Sequence, residues 1–197
     1  MKTKAIRIAL MLAVANVLLT CQADDRTRER WTYVASGMYP IFECPERDYD
    51  VVGLRFNLLA GRHRNMTGVD FGTIVNICDG SCSGVEFAGI CNVVGDSAWA
   101  LQISAACNYS HHDARGMQLA LVNWGDEDMV GLQLGGFNCA GMFGGCQIGV
   151  LNSAESGGGV QIGVVNVSDE FVGVQFGLLN INLSSGVPVL PIMNVMF

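Results

Sequence analysis

The sequence predicts an all-β protein, a parallel β-solenoid of about nine to ten coils of 13–16 residues each. Three observations support this fold class. The phrase Gly-apolar-Gln-apolar-Gly-x-x-Asn recurs along the chain, apolar residues alternate with polar or small ones inside each copy, and an Asn closes most copies. A repeat this short cannot bury an apolar face by itself, so neighbouring copies must stack.

The central position of the phrase defines each coil. In the copy at residues 159–166, Val160 and Ile162 alternate with Gln161 and Gly163, which is the period of a strand with one buried face. In a parallel stack the identical amides can form hydrogen-bonded ladders along the axis. The central position is occupied by Arg55, Asp70, Glu86, Gln102, Gln118, Gln133, Gln147, Gln161, Gln175 and, degenerately, Pro188. The closing residues are Asn76, Asn92, Asn108, Asn123, Asn138, Asn152, Asn166 and Asn180.

An up-and-down antiparallel β-barrel or meander is the alternative fold. The count of ten units is even, and the C-terminal Phe197 resembles the end of bacterial outer-membrane barrels. Against it, the alternating part of each unit is about seven or eight residues, whereas a membrane strand needs roughly 9–11. In a meander the Asn would also alternate between the two ends and gain nothing from being identical.

The chain divides into three parts. Residues 1–23 are expected to be a signal peptide, because Lys2, Lys4 and Arg7 precede an apolar stretch at residues 8–19. Lipidation of Cys21 is the rival interpretation of this segment. Residues 24–50 are expected to cap the open end of a repeat domain at residues 51–197. We therefore expect an exported protein at the cell surface, in the outer membrane or in the periplasm.

The charge of the chain excludes one class of partner. The formal net charge is −7, and removal of the three basic residues of the signal leaves −10. No Lys or Arg occurs between residues 116 and 197. Such a surface argues against binding nucleic acid or anionic lipid headgroups.

The cysteines indicate an oxidising compartment, and one pair of them distinguishes the two candidate folds. Cys91 and Cys107 each precede the closing Asn of their unit, one unit apart. In a parallel stack their Cα atoms would lie about 5 Å apart, within disulfide range, whereas in a meander they would lie at opposite ends of neighbouring strands. Further candidate pairs, if these residues are not simply small and buried, are Cys78 with Cys82 and Cys139 with Cys146.

No residue pattern indicates catalysis. His111, His112 and Asp113 form the only cluster that resembles metal ligands, but adjacent residues on an extended segment point apart. No nucleophile motif or recurring carboxylate pair is present. We expect no enzymatic activity, no metal and no cofactor.

The repeats resemble those of a bacterial family. The runs at residues 52–61 and 66–72, the later units around Gln147, Gln161 and Gln175, and the end at residues 189–197 resemble bacterial surface-repeat proteins of spirochaete and Bacteroidetes-type genomes. The resemblance implies an exported, often lipid-anchored envelope protein. We expect a structural or surface-interaction role in which a polar Gln, Gly and Asn face meets an unknown surface or envelope partner. The alternative is a small outer-membrane β-barrel with a channel or adhesin role; membrane association would follow from either lipidation or a barrel.

Overall fold

The computed structural model describes residues 31–38, 42–44 and 49–197, so the expected signal peptide and Cys21 lie outside the described residues. The described residues form strands and turns without a helix. The strands are β1 (Trp31–Met38), β2 (Phe42–Cys44), β3 (Asp50–Asn57), β4 (Ala60–His63), β5 (Asn65–Gly72), β6 (Val75–Cys78), β7 (Cys82–Ala88), β8 (Cys91–Val94), β9 (Ala98–Ser104), β10 (Cys107–Ser110), β11 (Ala114–Leu119), β12 (Val122–Leu134), β13 (Phe137–Ile148), β14 (Leu151–Ile162), β15 (Val165–Asn182) and β16 (Val189–Met196).

Each coil contributes one segment to each of two parallel faces. The broad face contains β1, β3, β5, β7, β9, β11, the second halves of β12 to β14 and residues 170–176 of β15, whose last four residues return to the narrow face. The narrow face contains β4, β6, β8, β10 and the first four residues of β12 to β15. From Val122 onward one continuous strand bends from the narrow face into the broad face.

The coils stack in parallel and in register. Gln133 lies between Gln118 and Gln147, and Asn138 lies between Asn123 and Asn152. The result is a β-solenoid of about eight turns. The predicted fold class is confirmed, and the antiparallel meander is wrong because neighbouring coils run in the same direction.

At each end of the stack an antiparallel strand pairs with the last parallel one. At the N-terminal end β1 lies parallel to β3, and β2 pairs with β1 in antiparallel fashion. At the C-terminal end the chain reverses, and β16 pairs antiparallel with β15. The unit expected at Pro188 is therefore not a further coil, because the chain turns back after Asn182, whose N–H donates to Pro188 O at 2.8 Å. Instead, Asn194 lies opposite Gln175 and donates to its Oε1 at 3.1 Å.

The interior of the solenoid is polar, which reverses our expectation of a displayed Gln and Asn face. Gln161 is 0% exposed and Asn166 is 0% exposed. The apolar residues beside them point outward, with Ile162 42% exposed. The remaining interior volume is filled at the acidic corner by small or apolar residues: Met66, Cys82, Ala98, Ala114, Met129, Phe143 and Phe171 from the broad face, and Cys78, Val94, Ala140 and Ala154 from the narrow face.

The first glycine of the phrase is required by the backbone. Gly145 has a φ of 137°, in the region that L side chains rarely adopt. A Cβ at Gly145 would overlap the carbonyl oxygen of Gly131 in the preceding coil. Its neighbour Gly144 has no such φ, and the nearest atom to a Cβ there would be Val130 Cγ2 at 3.7 Å.

This pair gives a matched test of the stacking. We expect Gly145→Ala to destabilise the protein by more than about 2 kcal/mol, because both φ and the coil spacing oppose a side chain. We expect Gly144→Ala to change stability by less than about 1 kcal/mol. Urea unfolding followed by circular dichroism measures both, and equal effects of the two variants would contradict the register described above.

Candidate functional site

Two rows of side-chain amides run through the interior along the solenoid axis. In the Gln row, each Nε2 donates to the Oε1 of the preceding coil: Gln118 to Gln102 at 2.8 Å, Gln133 to Gln118 at 2.8 Å, Gln147 to Gln133 at 2.7 Å, Gln161 to Gln147 at 2.7 Å and Gln175 to Gln161 at 2.7 Å. These side chains are buried, so each broken bond would leave a costly unpaired polar atom.

The Asn row has the opposite polarity. Each Nδ2 donates to the Oδ1 of the following coil, from Asn76 to Asn92 at 3.1 Å through to Asn166 to Asn180 at 2.7 Å. The intervening bonds link Asn92, Asn108, Asn123, Asn138, Asn152 and Asn166 at 2.8–3.0 Å. The second amide hydrogen goes to a main-chain oxygen, for example from Asn152 to Ile162 at 2.9 Å. Because the two rows point in opposite directions, their amide dipoles oppose each other.

The small residue two positions after each Gln makes room for the Asn row. At Gly163 a Cβ would lie 2.7 Å from Asn152 Nδ2 and 3.0 Å from Asn166 Oδ1. The first coil reverses this arrangement. Gly61 stands where Asn is expected, and the Asn57 side chain occupies the space and donates to Asn76 Oδ1 at 3.0 Å.

The N-terminal coils replace amides by charged groups. Arg55 donates to both carboxylate oxygens of Asp70, at 2.9 and 2.6 Å, and both side chains are buried. Arg55 also contacts Nδ1 of His63 and donates to Gly61 O at 3.2 Å. Burial, followed by the Arg55 charge, holds the pKa of His63 well below its usual value, so this imidazole is neutral. Arg55 and Asp70 thus continue the Gln row as a buried ion pair.

Glu86 is the point where the Gln row is interrupted. Gln102 donates to its Oε2 at 2.7 Å, while its Oε1 has no hydrogen-bond partner among the described residues. The preceding residue of the row is the Asp70 carboxylate, to which an ionised Glu86 has no hydrogen to donate. Burial, with the Asp70 charge as the second cause, raises the pKa of Glu86 to about 7. A protonated Glu86 carries a hydrogen-bond donor, as the Gln copies do, whereas an ionised Glu86 carries none.

One expected disulfide is present and two are not. Cys91 and Cys107 lie opposite each other in β8 and β10, with Cα atoms 4.7 Å apart, and form a disulfide. Cys139 and Cys146 are free, because they lie on different faces of the coil. Cys78 and Cys82 are also free and buried, and burial raises the pKa of both thiols.

The histidine loop forms surface contacts, as expected of a solvated turn. His111 pairs with Asp126 at 2.9 Å, and His112 pairs with Glu127 at 3.0 Å, all with partly exposed side chains. Among residues 31–38, 42–44 and 49–197 no group of three or more His, Cys, Asp or Glu side chains converges on a point that could hold a metal ion.

The outer surface is unusually apolar on the broad face. Phe56, Phe71 and Phe87 stack with centroids 5.5 and 5.2 Å apart and ring planes within 10°. The same row continues along the stack as Ile103, Leu119, Leu134, Ile148, Ile162 and Phe176. Exposed apolar surface of this extent usually marks a site of interaction.

The two corners of the coil differ in polarity. The apolar edge joins the end of each broad-face segment to the narrow face and comprises Leu58, Leu59, Ile74, Ile90, Ala105, Leu121, Val150, Val164 and Leu178. The acidic edge is the opposite corner and comprises Asp50, Arg64, Asp79, Asp96, His111, His112, Asp113, Asp126, Glu127, Asp128, Glu155, Asp169 and Glu170. Within residues 49–197 every charged side chain that is not buried lies at the acidic edge, except Arg115, the second residue of β11.

Aromatic residues lie between the faces and the acidic edge. Trp99 is the second residue of β9, and the Arg115 guanidinium lies 4.8 Å from its ring centroid. On the narrow face Tyr109 and Trp124 are adjacent, and both donate to the Asp126 carboxylate, Trp124 Nε1 at 2.6 Å. The rings of Tyr109 and Trp124 therefore lie on the narrow face, while their polar atoms contact the acidic edge.

Sequence reasoning found the amide rows but missed this outer surface. Alternation identifies a strand, but it is satisfied with either set of residues inside. The small residue two positions after Gln was the available signal, because only a crowded interior requires a small residue there.

Comparisons of the chain with protein-family models, with curated proteins and with solved structures gave no match. In the part of the chain that the structure describes, no helix is long and apolar enough to cross a membrane.

Glu86 predicts an unusual pH dependence of stability. Its folded pKa of about 7 exceeds the ordinary value of 4.5, so the folded state binds the extra proton between these values. The contribution of Glu86 to stability should therefore fall by roughly 2–3 kcal/mol as pH rises from about 5 to about 7.5. Because burial lowers the pKa of His63, this residue contributes in the opposite sense below its ordinary pKa of 6.5, so the Glu86 contribution is the difference between the native protein and Glu86→Gln. Glu86→Gln should remove this contribution and stabilise the protein at pH 7.5, because the amide donates at every pH.

Urea unfolding at several pH values measures this effect. The control is Glu155→Gln at the exposed acidic edge, which should leave the pH slope in place. A slope unchanged in Glu86→Gln would show that Glu86 is not the group responsible.

Proposed function

We propose that this chain is an exported cell-envelope protein with a structural or interaction role, and that its apolar outer surface is the surface through which it acts. The observation that carries the proposal is the inverted burial: amides fill the interior, and apolar rows cover the exterior. A chain that leaves such rows in water forgoes their burial, which is worth roughly 1.5–3 kcal/mol for each fully buried large apolar side chain. A partner that covers them recovers this free energy.

Two features of the chain support export: its N-terminal sequence and its disulfide. The basic and apolar start of the sequence has the order of a signal peptide. The Cys91–Cys107 disulfide is of a kind that persists in oxidising compartments. The polar partner face that the sequence suggested is not part of this proposal, because those amides are bonded to one another inside the stack.

The way the buried polar groups are used supports a noncatalytic role. The buried ionisable groups Arg55, Asp70 and His63 contact one another within the N-terminal coils rather than lining an open cleft. The outer-membrane barrel alternative needs neighbouring strands of alternating direction, whereas the coils are parallel.

Fractionation of a bacterial host that expresses the full chain tests the proposal. We expect the native protein to be exported, to form the Cys91–Cys107 bond and to sediment with the envelope without detergent. Replacing Ile148 and Ile162 by Ser removes two adjacent members of the broad-face row, and should shift most of the protein to the soluble fraction.

The matched control replaces Met142 and Leu183, which are as exposed but lie at the acidic corner, by Ser. This variant should still sediment with the envelope. The proposal fails if the native protein is soluble and monomeric after export, or if both double variants behave alike.

A further inference from the structure

We propose that the apolar edge, with the broad and narrow faces on either side of it, inserts into the hydrocarbon of one leaflet of a membrane with zwitterionic headgroups, while the acidic edge stays in water. This inference rests on the interaction role proposed above and names the partner as a lipid surface. It requires neither a lipid anchor nor a transmembrane segment.

The shape of the apolar surface favours lipid over a second copy of the chain. The apolar residues lie on the broad face, on the narrow face and on the edge between them, so the surface is convex. Leu121 at the edge is 57% exposed and Val150 is 55% exposed. A flat protein partner would cover one face and leave the edge and the other face in water, whereas fluid hydrocarbon covers all three.

The distribution of charge fixes the orientation. The apolar edge carries no charged residue, and the exposed charges of residues 49–197 lie at the opposite corner apart from Arg115. Because the charged corner is acidic, anionic headgroups would repel it. A zwitterionic surface imposes no such cost.

The aromatic residues mark the depth of insertion. Trp and Tyr prefer the boundary between hydrocarbon and water, where the ring is apolar and its polar atom is hydrated. Trp99, Tyr109 and Trp124 occupy this boundary, since each adjoins the acidic edge on its face. From Trp99 to the apolar edge at Ala105 the chain advances six residues, or ~20 Å in extended conformation, comparable to the ~15 Å of one hydrocarbon leaflet.

The backbone of the coils meets the main requirement of a hydrocarbon environment, which is that its polar groups be paired. Consecutive coils bond to each other on both faces and at the apolar edge, where Val150 N donates to Gly136 O at 2.9 Å and Val164 N to Val150 O at 3.0 Å. The Gln side chains from Gln102 to Gln175 and the Asn side chains from Asn76 to Asn180 are bonded in the two amide rows. Insertion of the apolar edge therefore exposes few unpaired polar groups to lipid.

Vesicle flotation with the isolated, disulfide-bonded protein tests the inference. We expect it to float with phosphatidylcholine vesicles, and less with vesicles that contain anionic phosphatidylglycerol at low salt. In a Trp31→Phe background, Trp99 and Trp124 report depth. Acyl chains brominated near the headgroup should quench their fluorescence more than chains brominated near the terminal methyl.

Charge substitutions locate the inserted surface. Leu121→Asp and Val150→Asp should each reduce vesicle partitioning at least tenfold, because a carboxylate is expensive in hydrocarbon. Met142→Asp makes a similar change at a residue that is 54% exposed but lies beside Asp128 at the acidic edge, and should partition like the native protein. An intact Cys91–Cys107 bond and a native circular dichroism spectrum show that each variant is folded.

Two outcomes would overturn the inference. If folded Leu121→Asp and Val150→Asp variants float as well as the native protein, the apolar edge is not inserted. If the native protein does not float but forms a dimer that Val150→Asp dissociates, a second copy covers the surface. The dimer result would leave the proposed interaction role standing. A protein that stays monomeric and binds neither vesicles nor the envelope fraction would contradict both the interaction role and the membrane insertion.

Discussion

The structure depends on the in-register hydrogen bonds between identical amides of successive coils. A buried amide is costly unless all its donors and acceptors are paired, and only a neighbour of the same type at the same position pairs them along an axis. Gln147, for example, donates to Gln133 and accepts from Gln161. This requirement sets the parallel order of the coils and makes a one-residue slip unfavourable, because a slip would move every amide to the outside.

A polar interior determines the exterior. In a strand of period two, the residues that alternate with buried amides must face outward, and beside the Gln residues of this chain they are Val, Leu, Ile, Phe, Met and Cys. The coil therefore combines a polar core bonded along two amide rows with an apolar coat, which is the distribution suited to a nonaqueous contact. The acidic edge is the only part of residues 49–197 with exposed charge in quantity, and it gives the particle one hydrated side.

The sequence predicted the architecture well and the direction of the side chains poorly. Repeat spacing and the Cys91–Cys107 pair were enough for the parallel stack, because both report which residues become neighbours. Alternation alone does not say which set lies inside, and the usual rule that apolar residues are buried gave the wrong choice. The N-terminal substitutions also could not be predicted. The Asn57 side chain takes the place of the Asn that is missing at Gly61, and this replacement is visible only in three dimensions. The reversal of chain direction after Asn182 was not predicted, because the segment around Pro188 weakly resembles a further repeat.

Hydrogen exchange of the side-chain amides tests the central claim most directly. In a nitrogen-15-labelled protein transferred to deuterated water, the NH2 signals of Gln118, Gln133, Gln147, Asn138 and Asn152 should persist for hours, because these groups are buried and bonded along the axis. Exchange of these signals within the first spectrum, at the rate of an amide in water, would contradict the polar interior and the apolar coat that follows from it.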